Sequence, residues 1–204
     1  MSWCRNNNHE LNASKMKEMV VNFRKEKSPV VRLLQVNGSS LEIVDSFKFL
    51  GTVISSGLDW ETYTNSTLKK TQQRMYFLRQ LKKFGLRREI LIQFYGAAIE
   101  SVRCFSLPVW YGSTTQDQKR RPNRVIRNSG RTVGRELPSL EEMFAKRSVA
   151  RSRRTVADRS HPPYDLVQLL PSGRRYRVLR ARTNRRNGSF FHRAIGALNR
   201  DMAA

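Results

Sequence analysis

The sequence contains only two cysteines, Cys4 and Cys104, which lie a hundred residues apart. Such spacing offers neither a disulfide framework nor a pair of thiolates suited to binding zinc. The histidines His9, His161 and His192 are equally isolated, without cysteine or acidic neighbours at ligand spacing. The sequence therefore predicts no metal site, no cofactor and a reducing environment.

Acidic residues are also scarce, since 16 Asp and Glu stand against 39 Lys and Arg, for a net charge of +23. The surplus is uneven: residues 117–204 carry 22 basic and 7 acidic residues, whereas residues 1–116 carry 17 and 9. A charge of this size opposes compaction and attracts polyanions. It predicts an RNA or DNA backbone, bound without sequence preference, as the partner. A solvated basic tail without a partner is equally compatible with the composition.

Long apolar runs are missing from the sequence. None reaches the roughly 18 residues that a membrane span needs, and the polar residues 5–8 stand where a signal peptide would place its apolar core. We therefore expect an intracellular protein, in the nucleus or the cytoplasm, neither secreted nor in a membrane. No small-molecule substrate is indicated, and the oligomeric state is left open.

The N-terminal quarter has the pattern of short strands. Apolar and β-branched runs predict strands at 17–23 and 30–36, around a charged loop at 24–29. Asn37-Gly38 fits a type I′ turn. Beyond it, apolar and polar residues alternate, which is typical of a half-buried strand. The apolar members of that alternation are Leu41, Ile43, Phe47 and Phe49.

After Asp59 the apolar period becomes helical, which predicts two helices joined near Gly85. On the first helix the predicted buried face is Leu68, Thr71, Met75 and Leu78. The second is predicted over 87–104, with an apolar stripe of Ile90, Leu91, Phe94, Ala98 and Val102.

The C-terminal region combines helix signals with arginine. Pro122 predicts a helix that either starts there or kinks there. Ser139 and Glu142 form a capping box, which predicts a helix running toward Asp158 and ending before 160–163. Seven arginines follow between Arg174 and Arg186, and this stretch suits a phosphate clamp, a flexible basic linker or a nuclear-localisation patch equally well.

Two motifs resemble a reverse transcriptase. Residues 12–15, Asn-Ala-Ser-Lys, run into the apolar stretch 19–23, and residues 47–51, Phe-Lys-Phe-Leu-Gly, close a hairpin. The first resembles the palm motif in which a lysine follows an asparagine by three residues. The second resembles the primer-grip hairpin of non-LTR (LINE-type) retrotransposon polymerases. The resemblance implies an auxiliary proton-donating role for Lys15, and stacking and charge contacts to a primer end from Phe47, Lys48 and Phe49.

The same resemblance implies the domain organisation. Residues 1–58 would be a palm remnant with the primer-grip-like hairpin, residues 59–115 a thumb-like helical hairpin, and residues 116–204 a basic, partly flexible region. The predicted fold class is α+β, with a small antiparallel β-hairpin region, an α-helical thumb-like bundle and a basic, partly disordered helical C-terminal region.

The catalytic carboxylates of that family have no counterpart in the sequence. Its Tyr-x-Asp-Asp motif would precede Asn12, where none of the eleven residues is aspartate. Asp45 and Asp59 are isolated, although two-metal phosphoryl transfer needs clustered carboxylates. We therefore expect a truncated remnant that is not an enzyme and at most binds nucleic acid. Its predicted nucleic-acid-binding residues are Phe47, Lys48, Phe49, Lys69, Lys70, Arg74, Arg174, Arg175, Arg177, Arg180, Arg182, Arg185 and Arg186.

A second resemblance leads to a different class of protein. The stretch from Trp3 to Lys27 resembles the short N-terminal module of AlkB homologue 8, which links the chain to 2-oxoglutarate-dependent dioxygenase and methyltransferase activity on tRNA or in alkylation repair. No histidine here is followed by aspartate at two, and the glycines are scattered. The module is therefore predicted without the activity. A stand-alone basic nucleic-acid-binding protein is the third hypothesis.

Overall fold

The computed structural model describes residues 2–23, 33–36 and 38–202. The predicted loop at 24–29, the predicted strand residues 30–32 and Asn37 lie outside the described residues. The predicted α+β class is confirmed. The strands are β1 (Lys17–Glu18), β2 (Gln35–Val36), β3 (Ser39–Ser40), β4 (Glu42–Ile43), β5 (Ser46–Phe49) and β6 (Thr52–Ser55). The helices are α1 (Ser2–Asn6), α2 (Glu61–Lys83), α3 (Arg88–Phe94), α4 (Ser101–Arg103), α5 (Leu107–Trp110), α6 (Gln116–Val133), α7 (Leu140–Ala157), α8 (Asn184–Asn187) and α9 (Phe190–Asp201).

The chain forms two compact units, Met1–Tyr63 and Thr64–Ala204. The first contains all the described strands, and the second contains α3 to α9 and most of α2. The predicted segment boundaries after residues 58 and 115 stay a prediction.

The described strands of the first unit are shorter than the apolar runs predicted. Of the run 17–23, only Lys17 and Glu18 form a strand, which pairs in parallel with Glu42 and Ile43. The prediction for 19–23 is wrong, because β4 offers only those two partner residues and a strand needs a neighbour to bond its backbone. Of the predicted strand at 30–36, the described part pairs only at Gln35 and Val36, in an antiparallel hairpin with β3.

The hairpin predicted at residues 47–51 is present. β5 and β6 pair antiparallel in the register Phe47↔Ile54 and Phe49↔Thr52. The connecting residues Leu50 and Gly51 both have positive φ, 45° and 83°. Two left-handed residues in a two-residue loop make a type I′ turn, whose twist matches that of the flanking strands.

Helix α2 has the predicted buried face. Thr71, Met75 and Leu78 are buried, and Leu68 packs against the same cluster. The helix ends in a Schellman motif, because the amide of Leu86 donates to the carbonyl of Leu81 and that of Gly85 to Lys82. Gly85 supplies the left-handed conformation, φ 73°, that this ending requires.

The second predicted helix contains a π-helical stretch at Tyr95–Glu100, between α3 and α4. The fully buried stripe is consequently Leu91, Tyr95, Ile99 and Arg103. Of the other predicted members, Phe94 and Ala98 are half-buried and pack against the same core, Val102 is half-buried, and the prediction of Ile90 is wrong. A π turn is wider than an α turn, so the buried positions recur every four residues. Ile90 is left 43% exposed.

Capping boxes start the two long basic helices. The predicted box of α7 is confirmed: Glu142 N donates to Ser139 Oγ, and Ser139 N donates to Glu142 Oε2 at 2.8 Å. The helix ends at Ala157, as expected. Helix α6 has an equivalent box between Thr115 and Gln118. It runs through Pro122, so the alternative of a helix starting at that proline is wrong.

The C-terminal region was predicted to be helical and partly disordered, and the structure adds a hydrophobic core there. Val167, Ile195 and Leu198 are buried together, with Val149 and Phe191 packed against them. Helix α9 supplies two of the three and lies against α7. The basic residues of α7, and the arginine-rich segment at residues 174–186, are therefore attached to a packed scaffold.

Among the described residues, Arg88–Ser113 passes the length and composition test for a membrane span, with an 18-residue window of mean hydropathy 1.2, of which 33% is buried. Buried core helices of soluble proteins pass the same test. The expectation of a protein outside the membrane stays a prediction.

Candidate nucleic-acid interface

Apart from the buried Lys119, helix α6 separates its basic residues from its buried residues. The buried side contains Pro122, Val125, Ile126, Ser129 and Val133. The exposed side presents Arg120, Arg124, Arg127 and Arg131, at spacings of four, three and four residues. At 100° per residue these four arginines fall within roughly 60° of arc and extend over about 17 Å. We call these four residues the arginine face.

The arginine face carries positive charge that the protein does not neutralise. Among the described residues, none of its four arginines forms an ion pair with an acid. The neighbouring Arg121 makes a 3.8 Å contact with Asp117, and both side chains are more than half exposed. Such exposed ion pairs contribute little to stability. The helix as a whole has six basic residues and one acid, so it favours a polyanion.

Two clefts border this helix. One lies between α2 and α6, has a volume of about 700 Å³ and includes Arg79, Arg121 and Arg124 in its lining. The other, also about 700 Å³, lies toward α7 and includes Arg120 and Arg127. Glu136 and Glu142 line the second cleft too, and Glu142 is held in the capping box. Among the described residues, none that lines the first cleft is acidic.

The three predicted residues of α2 are placed differently from one another. Lys69 and Lys70 are exposed. Arg74 is half-buried, and its Nη1 donates to the carbonyl of Ala98 within the π turn. Its guanidinium therefore holds α2 against the following helix, which leaves it less free for a phosphate than the two lysines.

In the β5–β6 hairpin, Phe47 and Phe49 lie on one face and Lys48 on the other. The two rings are 37% and 55% exposed, so they are available for stacking. Lys15 is exposed and ends the 3₁₀ turn Ala13–Lys15. These four residues all belong to the first unit, and the arginine face belongs to the second.

The arginine-rich segment begins in a small hairpin. Leu169 and Tyr176 bridge antiparallel, and Gly173 turns the chain with φ 68°. A groove of about 1040 Å³ brings Arg175, Arg177 and Arg180 together with Arg200 of α9, and its lining includes the acid Asp165. Arg174, Arg182 and Arg186 are exposed, and the side chain of Arg185 lies outside the described part of the chain.

A polar cluster that the sequence did not reveal joins α6, α7 and α9. Glu141 accepts hydrogen bonds from the Tyr111 hydroxyl at 2.8 Å and from Arg193 Nη1 at 3.2 Å. Lys119 is buried, with Nζ 4.7 Å from the centre of the Tyr111 ring. Burial, with a smaller contribution from the Arg193 charge, lowers the pKa of Lys119. Burial, followed by the hydrogen bond to Glu141, raises the pKa of Tyr111. These contacts hold α7 and α9 against the N-terminal part of α6, the helix that carries the arginine face.

Arg103 is a second buried cation, only 2% exposed. Its Nη2 donates to the Tyr95 hydroxyl at 3.0 Å, but Nε and Nη1 have no hydrogen-bond partner among the described residues. Burial raises the pKa of the Tyr95 phenol and of the adjacent Cys104 thiol, and the positive charge of Arg103 acts in the opposite direction on both. A buried arginine left in this way is costly for stability.

Within the described part of the chain, no group of three or more His, Cys, Asp or Glu side chains comes together in a way that could hold a metal ion.

Residues 60–101 match the family model described as "Alkylated DNA repair protein alkB homolog 8, N-terminal". The match covers 42 of the 204 residues and comprises all of α2, all of α3 and the π turn. No curated protein and no solved structure matches the chain.

The resemblance to this module was expected at Trp3 to Lys27, and that placement is wrong. The motifs cited for a reverse transcriptase, at residues 12–23 and 47–51, lie outside the matched residues.

The arginine face was missed because Pro122 marked a boundary in the sequence. The spacing of Arg120, Arg124, Arg127 and Arg131 is readable as one helical face only if the helix continues through that proline. The seven arginines from Arg174 to Arg186 were predicted as binding residues from their density alone.

Proposed function

We propose that this chain is a non-catalytic nucleic-acid-binding module, related over residues 60–101 to the N-terminal part of AlkB homologue 8, and that it contacts phosphates through the arginine face of α6. The observation that carries the proposal is the alignment of four exposed, unpaired arginines on one side of a helix whose opposite side is buried. Phosphate contacts of this kind fix position and supply affinity without reading sequence.

The family match supports the proposal in a limited way. The matched description is that of an alkylated DNA repair protein, which acts on nucleic acid by its name. The matched residues supply the α2 side of the cleft between α2 and α6. The other side, including Arg121 and Arg124, lies beyond the match, so the nucleic-acid interface would combine the matched module with a helix that follows it.

The proposal includes no catalytic step. A 2-oxoglutarate dioxygenase needs a His-x-Asp pair and a further histidine, and His9, His161 and His192 are each followed at two by another residue type. Polymerase chemistry needs clustered carboxylates for two metal ions. The reverse transcriptase hypothesis rests on sequence resemblance alone, and its supporting motifs would add the Phe47–Phe49 hairpin as a second contact surface.

Binding to labelled duplex and single-stranded oligomers, measured by fluorescence anisotropy over a series of salt concentrations, tests the proposal. The log of the association constant should fall with log salt at a slope of about 0.9 per phosphate contact on duplex or about 0.7 on single strands. Replacing Arg120, Arg124, Arg127 and Arg131 by glutamine should remove up to about four contacts from that slope.

The matched control removes the same charge elsewhere. Lys83, Arg87, Arg88 and Arg159 are exposed and form no ion pair in the described residues. Their replacement by glutamine should change the slope much less. Equal losses from both variants would show that net charge alone drives binding and would overturn the arginine face as the site. Absence of binding at low salt would overturn the whole proposal.

A further inference from the structure

The cleft between α2 and α6 combines two kinds of surface. Its deepest lining is apolar, since Met75 is 3% and Val125 8% exposed, and Leu68 is half-buried beside them. The Ser129 hydroxyl lies 2.8 Å from the Met75 sulfur and 2.9 Å from the Val125 carbonyl oxygen, so its single proton serves one of the two, and the methionine is held mainly by its burial. The cleft therefore has a buried apolar wall.

The entrance of the same cleft is polar. The carboxamides of Gln72 and Asn128 line it, and neither side chain has a hydrogen-bond partner among the described residues. Arg79, Arg121 and Arg124 lie at its edge and are exposed. A carboxamide both donates and accepts hydrogen bonds, so two of them can recognise a planar group that carries donors and acceptors on its edge.

We infer that this cleft receives an unpaired nucleobase of a single-stranded polynucleotide, while Arg79, Arg121 and Arg124 hold the flanking phosphates. The inference deepens the proposed function and rests on it. A volume of about 700 Å³ is that of a small-molecule site and accommodates a nucleotide. Duplex would not fit in the same way, because pairing covers the base edges and stacking covers the faces.

The chemistry of the lining favours this occupant over a peptide. An acidic peptide would match the three arginines but would not use the apolar wall of Met75 and Val125. An apolar peptide would leave the guanidinium groups of Arg79 and Arg124 without a counter-charge among the described residues, and that of Arg121 with only its 3.8 Å contact to Asp117. A base with its phosphates uses the wall, the carboxamides and the arginines together.

A comparison of oligothymidylate with an abasic deoxyribose-phosphate oligomer of the same length tests the inference, because the two carry the same phosphates and differ in the bases. Anisotropy titrations of the full chain should show oligothymidylate bound about tenfold more tightly, the ratio that one well-held base supplies. The double variant Gln72→Ala, Asn128→Ala should reduce that ratio to below about threefold. It should leave abasic binding and both salt slopes unchanged, since neither residue meets a phosphate.

Gln73→Ala is the matched control, because Gln73 is an exposed glutamine of α2 that does not line the cleft. It should keep the full ratio. Equal affinity for the two oligomers would overturn the base site and leave the arginine face intact as a backbone contact. Absence of binding to either oligomer would overturn both. Competition by polyglutamate as strong as by oligothymidylate would assign the cleft to acidic peptides and overturn the inference.

Discussion

Gly112 and Gly188 approach each other backbone to backbone: a Cβ atom added to Gly112 would lie 1.9 Å from the carbonyl oxygen of Gly188, and one added to Gly188 would lie 2.4 Å from that of Gly112. No side chain lies between them to move aside. The contact joins the 3₁₀ turn Tyr111–Ser113 to the end of α8. It sets the distance between the start of α6 and the start of α9.

Gly112→Ala should therefore lower the free energy of unfolding by at least about 2 kcal/mol, because two backbone segments must separate. Gly196→Ala is the control, since its added Cβ meets nothing closer than 3.9 Å and the residue is inside α9. It should raise stability by about 0.5–1 kcal/mol. Urea unfolding followed by circular dichroism measures both. Similar stabilities for the two variants would contradict the close contact.

The burial of Tyr111, together with its hydrogen bond to Glu141, predicts a pH effect. Because the pKa of Tyr111 is raised above its ordinary value of 10.0 in the folded protein, its contribution to stability is complete below pH 10. It is lost as the pH rises above 10 and the phenol of the unfolded chain ionises. Tyr111→Phe should cost about 1–2 kcal/mol at neutral pH.

That cost should shrink above pH 10, by at most about 1.4 kcal/mol per pH unit, because only the wild type has a phenol there to ionise. Phenylalanine keeps the ring beside Lys119, so the opposing titration of this lysine, whose pKa is lowered, is largely common to both proteins. Urea unfolding at a series of pH values checks the difference. A difference that stays constant beyond pH 10 would show that folding does not raise the pKa of this phenol.

Arg103 should be replaceable by an apolar residue. Since two of its guanidinium nitrogens are buried without partners, Arg103→Met should leave stability unchanged or raise it by about 1–2 kcal/mol. Arg74→Met is the contrasting variant, because it removes the donor to the Ala98 carbonyl and should cost about 1 kcal/mol. Thermal melts compare them. A lower melting temperature for Arg103→Met than for Arg74→Met would contradict the prediction.

The groove formed by Arg175, Arg177, Arg180 and Arg200 should be a secondary contact. Its lining includes the acid Asp165, and the second cleft beside the arginine face likewise includes Asp117, Glu136 and Glu142, but only the arginine face aligns four arginines along one side of a helix. Replacing Arg175, Arg177 and Arg180 by glutamine should keep binding of a short oligomer and lower the salt slope by less than the α6 variant does. Substitution is preferable to truncation, because α9 contributes Ile195 and Leu198 to a core. A larger loss from this groove would move the main site to the C-terminal region.

What the sequence could predict depended on local signals. The buried face of α2, the turn at Gly85, the β5–β6 hairpin and the capping box at Ser139 each follow from a few neighbouring residues, and each is present. Of the candidate site, the exposure of Lys69 and Lys70 could be predicted from the helical period alone.

The remainder depends on tertiary structure. A pattern of apolar residues at α-helical spacing does not reveal a π turn. Neighbours of Tyr95 and Ile99 were therefore predicted to form the apolar stripe in place of these two residues. The short strands are limited by how many residues the partner offers. Lys119 is charged and buried, which no pattern on α6 indicates until Tyr111 and Glu141 are placed beside it. The apolar face of α9 was present in the sequence but obscured by the arginines before it.

At the π turn Tyr95–Glu100, the number of residues decides which way the rest of the helix faces, whatever those residues are. Such a turn accommodates one residue more than an α turn does, so deletion of a single residue there would let the backbone return to α-helical spacing. Everything that follows along the helix would then keep its orientation, whereas the same return to α-helical spacing without a deletion would rotate it by about 100° about its axis. In that second case Arg103 and Cys104 would leave the interior together, so at the present chain length the wide turn is what keeps them facing inward.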